Sequence, residues 1–260
     1  MGDDGSMHAQ REDADSDVDL AATAHRFPRV TSFRSRHAAL SDRQQETWER
    51  RWPELGTEAR RADGTPAGPI DAAAWFGRTA PLVLEIGCGA GISTLAMAIE
   101  EPHLNVIAVE VYRKGLAQLL GGVDREGLSN VRFVRGDGVD VLEHMLAPGS
   151  LTGVRVFFPD PWPKSRHHKR RLLQPPTVAL IADRLKPGGV LHAATDHADY
   201  AVQIGEVGDG EALLQRVDQS RIDAGDLPMS ARRPETKYEA RGLRQGSAIR
   251  EFLWEKRDLT

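Results

Sequence analysis

From residue 82 onward, short apolar runs alternate with longer segments that have helical spacing of apolar residues. Apolar runs of this kind, bounded by glycine, proline or acidic residues, are typical of strands buried in a parallel sheet. The predicted strands are residues 82–86, 105–109, 131–134, 154–158 and 190–194. The predicted helices span residues 92–100, 112–120 with a stop at Gly121-Gly122, Gly138 to about 146, and 175–185. This alternation implies parallel strands joined by right-handed crossovers, and residues 249–256 predict a last strand.

The chain before residue 73 has a different pattern. Its first part is poor in large apolar side chains and carries net negative charge, so we expect it to be disordered. Ser41 and Gln44 then make a capping-box pattern that opens a helix through about Trp52, and residues 54–72 predict a loop. The predicted organisation is an acidic tail, a basic extension with a helix, and a main domain, over residues 1–24, 25–72 and 73–260.

Composition narrows the class of protein. The chain has 260 residues, 40% hydrophobic and 28% charged, which suits one α/β domain with extensions. No run approaches the roughly 20 apolar residues that span a bilayer, and no apolar signal region opens the chain, so we expect no membrane partner. Cys88 is the single cysteine, which favours a reducing, cytoplasmic location. The net charge is −4, but nine arginines fall within residues 21–61, which predicts either a basic face or an ordinary surface helix.

Acidic residues stand at the ends of the predicted strands: Glu85, Glu110, Asp137, Asp160 and Asp196. Ligands of open α/β sheets bind beyond the carboxyl ends of the strands, so these carboxylates should surround one site. The glycines of Gly87-Cys88-Gly89-Ala90-Gly91 let the backbone approach a ligand at a helix N-terminus. A carboxylate at Glu110 can accept hydrogen bonds from both ribose hydroxyls of a nucleotide. For Asp137, capping of the following helix is the competing role.

Two nucleotide cofactors compete for this site. A dinucleotide needs G-x-G-x-x-G, whereas this chain has G-x-G-x-G, with Ile92 at the third dinucleotide position. Glu85 would repel a pyrophosphate but would attract a cationic amino-acid end. S-adenosylmethionine has such an end, a sulfonium and no phosphate. An acid-lined pocket therefore favours S-adenosylmethionine as the cofactor.

A stiff turn and a basic run follow the fourth strand. Asp160 and Trp162 each precede a proline, so both should be held extended. Trp162 then either stacks on a substrate or anchors the turn. The cations that follow suit a phosphate backbone, although a solvated turn is the plain alternative; they are Lys164, Arg166, Lys169, Arg170 and Arg171. We predict no metal site at His167 and His168, because no acids stand at ligand spacing.

Five ordered motifs resemble those of the bacterial tRNA (guanine-N7)-methyltransferases. They cover roughly residues 29–256 and comprise Leu84 to Gly89, Phe157 to Trp162, Arg166 to Arg171, Ala194-Thr195-Asp196 with Tyr200, and Thr236 to Gly242. The resemblance implies a Rossmann-like class I methyltransferase fold, an α/β sheet of seven mostly parallel strands with an antiparallel last strand and helices on both faces. It also implies S-adenosylmethionine as cofactor and a guanine in the variable loop of tRNA as substrate. Monomer and homodimer both stay open.

The resemblance also implies roles for individual residues. Asp160 would be the catalytic residue at the junction of cofactor and guanine. The residues that would contact the cofactor are Glu85, Gly87, Gly89, Glu110, Asp137 and Asp160 itself. The side chains that would meet the tRNA are Lys164, Arg166, His167, His168, Lys169, Arg170, Arg171, Asp196, Thr236, Lys237, Tyr238 and Glu239.

The chemistry of guanine N7 sets modest demands on the protein. N7 carries an in-plane lone pair, so its attack on a sulfonium methyl needs no strong general base. The protein must supply position and negative potential, which Asp160 fits. Glu239 can accept from the guanine N1–H and N2 edge, and Tyr238 either packs on the base or fills a loop. Two alternatives stay open: methylation of an exocyclic amine, and a cofactor-sensing RNA-binding protein without turnover.

Overall fold

The computed structural model describes residues 39–234 and 248–258. These residues build one eight-stranded sheet in the order β1-β4-β3-β2-β5-β6-β8-β7. The strands are β1 Gly56–Glu58, β2 Leu82–Ile86, β3 Asn105–Glu110, β4 Val131–Arg135, β5 Leu151–Phe157, β6 Leu185–Thr195, β7 Leu214–Arg216 and β8 Arg250–Lys256. Strand pairing is parallel from β1 to β6, and β8 runs antiparallel to both β6 and β7.

Helices cover both faces of the sheet, as expected. They are α1 Asp42–Leu55, α2 Ala72–Phe76, α3 Ile92–Glu100, α4 Arg113–Glu126, α5 Gly138–His144, α6 Pro175–Arg184, α7 Ala198–Gly210 and α8 Gln219–Ala224, with a 3₁₀ helix over Ser165–Arg170. Because side chains alternate along a strand, Leu84 of β2 joins the core formed with α2, α5, α6 and α7. On β3, Ala108 faces the opposite core, formed with α1, α3 and α4.

The sheet has one strand more than the seven expected. β1 lies inside the predicted loop of residues 54–72 and extends the sheet at β4, where Gly56 pairs with Phe133. The sequence pattern misses β1 and β7 because each has three residues and neither contains an apolar run. The remaining strands include the antiparallel last strand, so the class I methyltransferase fold is confirmed with an added edge strand.

The described part of the basic extension is built into this fold. The capping box is confirmed: the Gln44 amide donates to Ser41 Oγ (3.4 Å), and the Ser41 amide donates to Gln44 Oε1 (3.1 Å). α1 continues to Leu55 and packs on α4. Trp48 and Trp52 stack with ring centroids 3.9 Å apart.

The expected helix stop at Gly121-Gly122 is wrong. α4 runs through both glycines and ends at Gly127, which has a left-handed φ of 63°. Gly122 faces α3, and a Cβ there would lie 2.8 Å from Leu95 Cδ2. The glycine therefore permits close packing of α3 against α4, at the usual cost of a glycine within a helix.

Candidate active site

A cleft opens at the carboxyl ends of the central strands. It has a volume of about 240 Å³. Its lining comes from the loops after β2, β3, β4 and β5 and includes Gly87, Gly89, Glu110, Tyr112, Asp137, Phe158, Asp160 and Leu172. No lysine or arginine is among the described residues that line it. The cleft is therefore acidic, which suits a cationic ligand better than a phosphate.

The glycine turn and Glu110 are fastened to each other. Gly87 and Gly89 have left-handed φ values of 79° and 55°, which side chains rarely adopt. Glu110 Oε2 accepts a hydrogen bond from the Gly89 amide at 2.9 Å. Its Oε1 accepts from the amides of Val111 and Tyr112, at 2.8 and 3.0 Å. A carboxylate offers about four acceptor positions, so Glu110 is oriented by the backbone and can still accept from a ligand.

Glu85 lies behind the turn and outside the cleft lining. Its side chain is buried, and Oε1 accepts a hydrogen bond from Thr94 Oγ1 at 2.9 Å. Burial raises the pKa of this carboxyl, and the Arg155 charge lowers it in part. Oε2 is buried and accepts no hydrogen bond from a described group. An unsatisfied buried acceptor next to an acidic cleft fits the ammonium end of S-adenosylmethionine.

Asp137 caps a helix and also lines the cleft. It accepts a hydrogen bond from the Val139 amide at 3.0 Å and so caps α5. It also lines the cleft, next to Gly136 and Gly138. Capping fixes the direction of the side chain and leaves it at the ligand cavity.

The turn that carries Asp160 differs from the expected extended form. Trp162 has a left-handed φ of 43°, and Phe158 has one of 51°. The prolines exclude the right-handed helical region for the preceding residue, and at Trp162 the chain takes the left-handed region instead of the extended one. Non-glycine residues with such backbone angles concentrate at functional sites. The Asp160 side chain is exposed at the cleft.

Trp162 anchors this turn. Its side chain is only 3% exposed. The Arg170 guanidinium lies 4.3 Å from the centre of its ring, and the His167 ring meets it edge-on at 5.8 Å. The buried Trp162 side chain therefore anchors the turn and is not available to stack on a substrate.

The cations after Trp162 fall into two groups. We call residues 164–170, which include the 3₁₀ helix, the basic turn. Three of its side chains are exposed and make no ion pair with any residue that the structure describes: Lys164, Arg166 and Lys169. Arg171, in contrast, is buried with its side chain 1% exposed and pairs with Asp199. Arg171 is corrected from a tRNA contact to an interior residue, because its guanidinium is enclosed by the protein.

The other predicted substrate residues are only partly described. Asp196 follows β6 directly and is exposed. His167 and His168 are half-buried, and His168 Nε2 lies 3.1 Å from Arg171 Nη2. The predictions for Thr236, Lys237, Tyr238 and Glu239 lie outside the described residues, as does the acidic tail.

Several buried polar residues that no sequence motif indicated support the site from behind. Thr94 holds Glu85, and Arg155 of β5 lies fully buried and pairs with Glu101 at 2.5 Å. An arginine within an apolar strand requires a buried partner. Arg155 was thus the sequence signal for a buried ionic group beside Glu85.

Among the described residues, one cluster has side chains that can coordinate a metal ion. It is formed by Asp140, Glu143 and His144 of α5. Asp140 accepts hydrogen bonds from Arg60 at 2.7 and 2.8 Å, so a guanidinium already bonds to this carboxylate. No described helix has both the length and the apolar character that crossing a membrane requires.

Comparison with known proteins decides the family. A family model for methyltransferases matches residues 79–252. A tRNA (guanine-N(7)-)-methyltransferase from Mycobacterium sp. (strain KMS) is 71% identical over 238 residues, covering 92% of this chain and 85% of the relative. The chain belongs to the tRNA (guanine-N7)-methyltransferase family.

Further relatives agree. The Mycolicibacterium gilvum (strain PYR-GCK) protein of the same name is 59% identical and covers 98% of this chain and 99% of its own length. Among solved structures, the 16S rRNA methyltransferase KamB aligns at 15% identity with a TM-score of 0.47, over 76% of this chain and 99% of that chain. The assignment rests on the sequence relatives.

Proposed function

We propose that this chain transfers a methyl group from S-adenosylmethionine to N7 of a guanine in the variable loop of tRNA. The proposal rests on one observation: the acidic cleft, Asp160 and the basic turn lie next to each other. Asp160 stands on the rim of an acidic cleft that no described lysine or arginine lines. Lys164, Arg166 and Lys169, which make no ion pair with a described residue, follow within nine residues. A cationic cofactor and an anionic nucleic acid can thus meet at one carboxylate.

The acidic side of the cleft is suited to hold the cofactor. Glu110 is fixed by three backbone amides and has acceptor capacity left for ribose hydroxyls. Glu85 places one unsatisfied acceptor behind the glycine turn, which suits an ammonium group. Asp137 offers a further oriented carboxylate at the end of β4. When bound, S-adenosylmethionine supplies an electrophilic methyl carbon that guanine N7 can attack.

Asp160 acts on the guanine side of the same cleft. Positive charge develops on the purine ring as the N7–carbon bond forms, and a fixed carboxylate stabilises that charge without taking a proton from N7. Asp160→Asn keeps the shape and removes the charge. We expect it to lower the methyl-transfer rate about 10²-fold, while calorimetry shows the cofactor still bound.

The three exposed cations of the basic turn position the tRNA. Phosphate contacts fix the register of a nucleic acid and carry no direct base information. Lys164, Arg166 and Lys169 therefore hold the tRNA backbone near Asp160, and base choice falls to other groups. In this proposal, the basic turn and Asp160 divide the work between binding and chemistry.

The test uses a tRNA whose variable-loop guanine is replaced by 7-deazaguanine. This base lacks N7 but keeps the exocyclic amine, so it separates the two reactions. We expect methyl transfer to the parent tRNA and none to the 7-deazaguanine tRNA. Equal transfer to both would support exocyclic-amine methylation instead, and no transfer to either at single turnover would support a cofactor-sensing RNA-binding protein.

A further inference from the structure

The direction of the Asp160 carboxylate is set by the backbone around it. Its oxygens make no hydrogen bond or ion pair with a residue in the described ranges. The turn that carries it has left-handed residues at both ends, Phe158 (φ 51°) and Trp162 (φ 43°). Such conformations persist only where surrounding contacts over-determine them. Something must therefore hold the backbone of this turn.

Arg171 makes that contact. Its Nε donates a hydrogen bond to the carbonyl oxygen of Pro161 at 2.8 Å. Pro161 lies between Asp160 and Trp162, so the bond holds the middle of the turn. The guanidinium is itself fixed from behind, since Nη1 donates to Gln203 Oε1 at 2.7 Å and Nη2 donates to the Asp199 carboxylate.

The side-chain type matters as much as the charge. A guanidinium is a planar fork with five N–H donors, and it can serve Pro161, Gln203 and Asp199 in different directions at once. It also lies over the Tyr200 ring at 4.9 Å. A lysine ammonium is a compact point charge and cannot span these acceptors. Lysine in place of Arg171 would keep the charge and lose the geometry.

Arg171 differs from its neighbours in access to solvent. Lys169 is exposed, whereas the Arg171 side chain is 1% exposed. A phosphate can reach the former and cannot reach the latter without displacing Pro161 or Asp199. The charge of Arg171 therefore interacts with groups of the protein, such as Asp199, and not with a phosphate.

We propose that Arg171 is a positioning residue that ties the Asp160 turn to α7 and thereby aims the Asp160 carboxylate. The inference rests on the proposed function, because aim matters only if methyl transfer occurs at this turn. Loss of the tie should leave tRNA binding intact and lower the rate of the chemical step.

The test compares Arg171→Lys with the matched control Lys169→Gln on the same segment. Arg171→Lys should lower the single-turnover rate at saturating tRNA and cofactor by about tenfold to a hundredfold, with an unchanged salt dependence of tRNA binding. Lys169→Gln should instead weaken tRNA binding and lower the slope of log K against log salt by about 0.7–0.9. A reduced slope in Arg171→Lys, or a rate near that of the parent, would overturn the proposal.

Two further measurements keep the proposal separate from folding and from the proposed function. Hydrogen exchange of a peptide spanning residues 157–171 should be faster in Arg171→Lys than in the parent, whatever the enzyme methylates, and equal exchange contradicts the tie. If Arg171→Lys fails to fold, Gln203→Met removes one acceptor behind the guanidinium. It should slow transfer several-fold at an unchanged salt slope, and a parental rate in this variant contradicts the proposal.

Discussion

Two regions of the chain are rich in basic residues, and the fold pairs these residues differently. On α1, Arg50 donates to Asp124 of α4 at 3.0 and 2.6 Å. Arg51 pairs with the same Asp124 at 3.1 Å and with Glu54 at 2.5 Å. On the basic turn, the exposed side chains have no acidic partner within the described part of the chain; they are Lys164, Arg166 and Lys169.

The difference lies in an acid that is remote in sequence. Asp124 is 74 residues from Arg50 and reaches it only because α4 packs on α1. A basic surface is one of two interpretations of the sequence at both places. Within the described residues, acids pair with Arg50 and Arg51 and leave Lys164, Arg166 and Lys169 without an ion pair. We infer that tRNA binds where basic side chains lack an ion-pair partner among the described residues, and not simply where basic residues are numerous.

The largest effect on the salt dependence of tRNA binding should come from removing the three exposed cations of the basic turn. The triple variant Lys164→Ala, Arg166→Ala, Lys169→Ala should lower the salt slope of tRNA binding by roughly 2–3, because each lost phosphate contact contributes about 0.7–0.9. Fluorescence anisotropy with labelled tRNA over a salt series measures this slope. The matched control is Arg50→Ala with Arg51→Ala, which should leave the slope unchanged. A control slope that falls as far as that of the triple variant would end the distinction between the two regions.

A smaller effect of opposite sign should follow from freeing the paired arginines. Asp124→Asn removes the negative charge that Arg50 and Arg51 share. The charge of Arg50 then becomes available to phosphates, whereas Arg51 keeps its ion pair with Glu54, so the salt slope should steepen by up to about 0.9. The same anisotropy series detects it. An unchanged slope would mean that the position of α1, and not ion pairing, keeps these arginines away from tRNA.

The smallest effect concerns stability against pH. The hydrogen bond and charge of Arg50 lower the pKa of Asp124. A lowered pKa means that the pair stabilises the fold above the ordinary aspartate value, roughly 3.9, and that this contribution is lost as pH falls through the folded-state pKa. Urea unfolding should show the parent slightly more stable than Asp124→Asn at pH 7, with the difference shrinking as pH falls below the ordinary aspartate value. The difference is small because solvent screens exposed pairs, and a difference that grew at low pH would contradict the assignment.

The frame of the site could be predicted from sequence, since it depends on local patterns. Apolar runs that end in acids fix where Glu110 and Asp137 lie, because the carboxyl ends of parallel strands meet at one edge. The fastening of the Asp160 turn could not be predicted. In the sequence, Arg171 looks like one more surface cation. Its partners Asp199 and Gln203 lie on α7, 28 and 32 residues away, and only the fold brings them to it.

The backbone of Trp162 was missed for a related reason. A following proline disfavours the helical region and favours the extended one, whereas Trp162 has a left-handed φ. This conformation is set by burial of the indole against Arg170 and His167, which sequence rules for a dipeptide do not contain. Tertiary packing thus decides the conformation of the turn that carries Asp160.

The most direct test of the account is mass spectrometry of nucleosides from tRNA incubated with the protein and S-adenosylmethionine. The tRNA should lack the modification beforehand, and Asp160→Asn should run in parallel. The account predicts 7-methylguanosine as the product, from a variable-loop position, and strongly reduced product with Asp160→Asn. Methylation on an exocyclic amine, or equal 7-methylguanosine from both proteins, would contradict it.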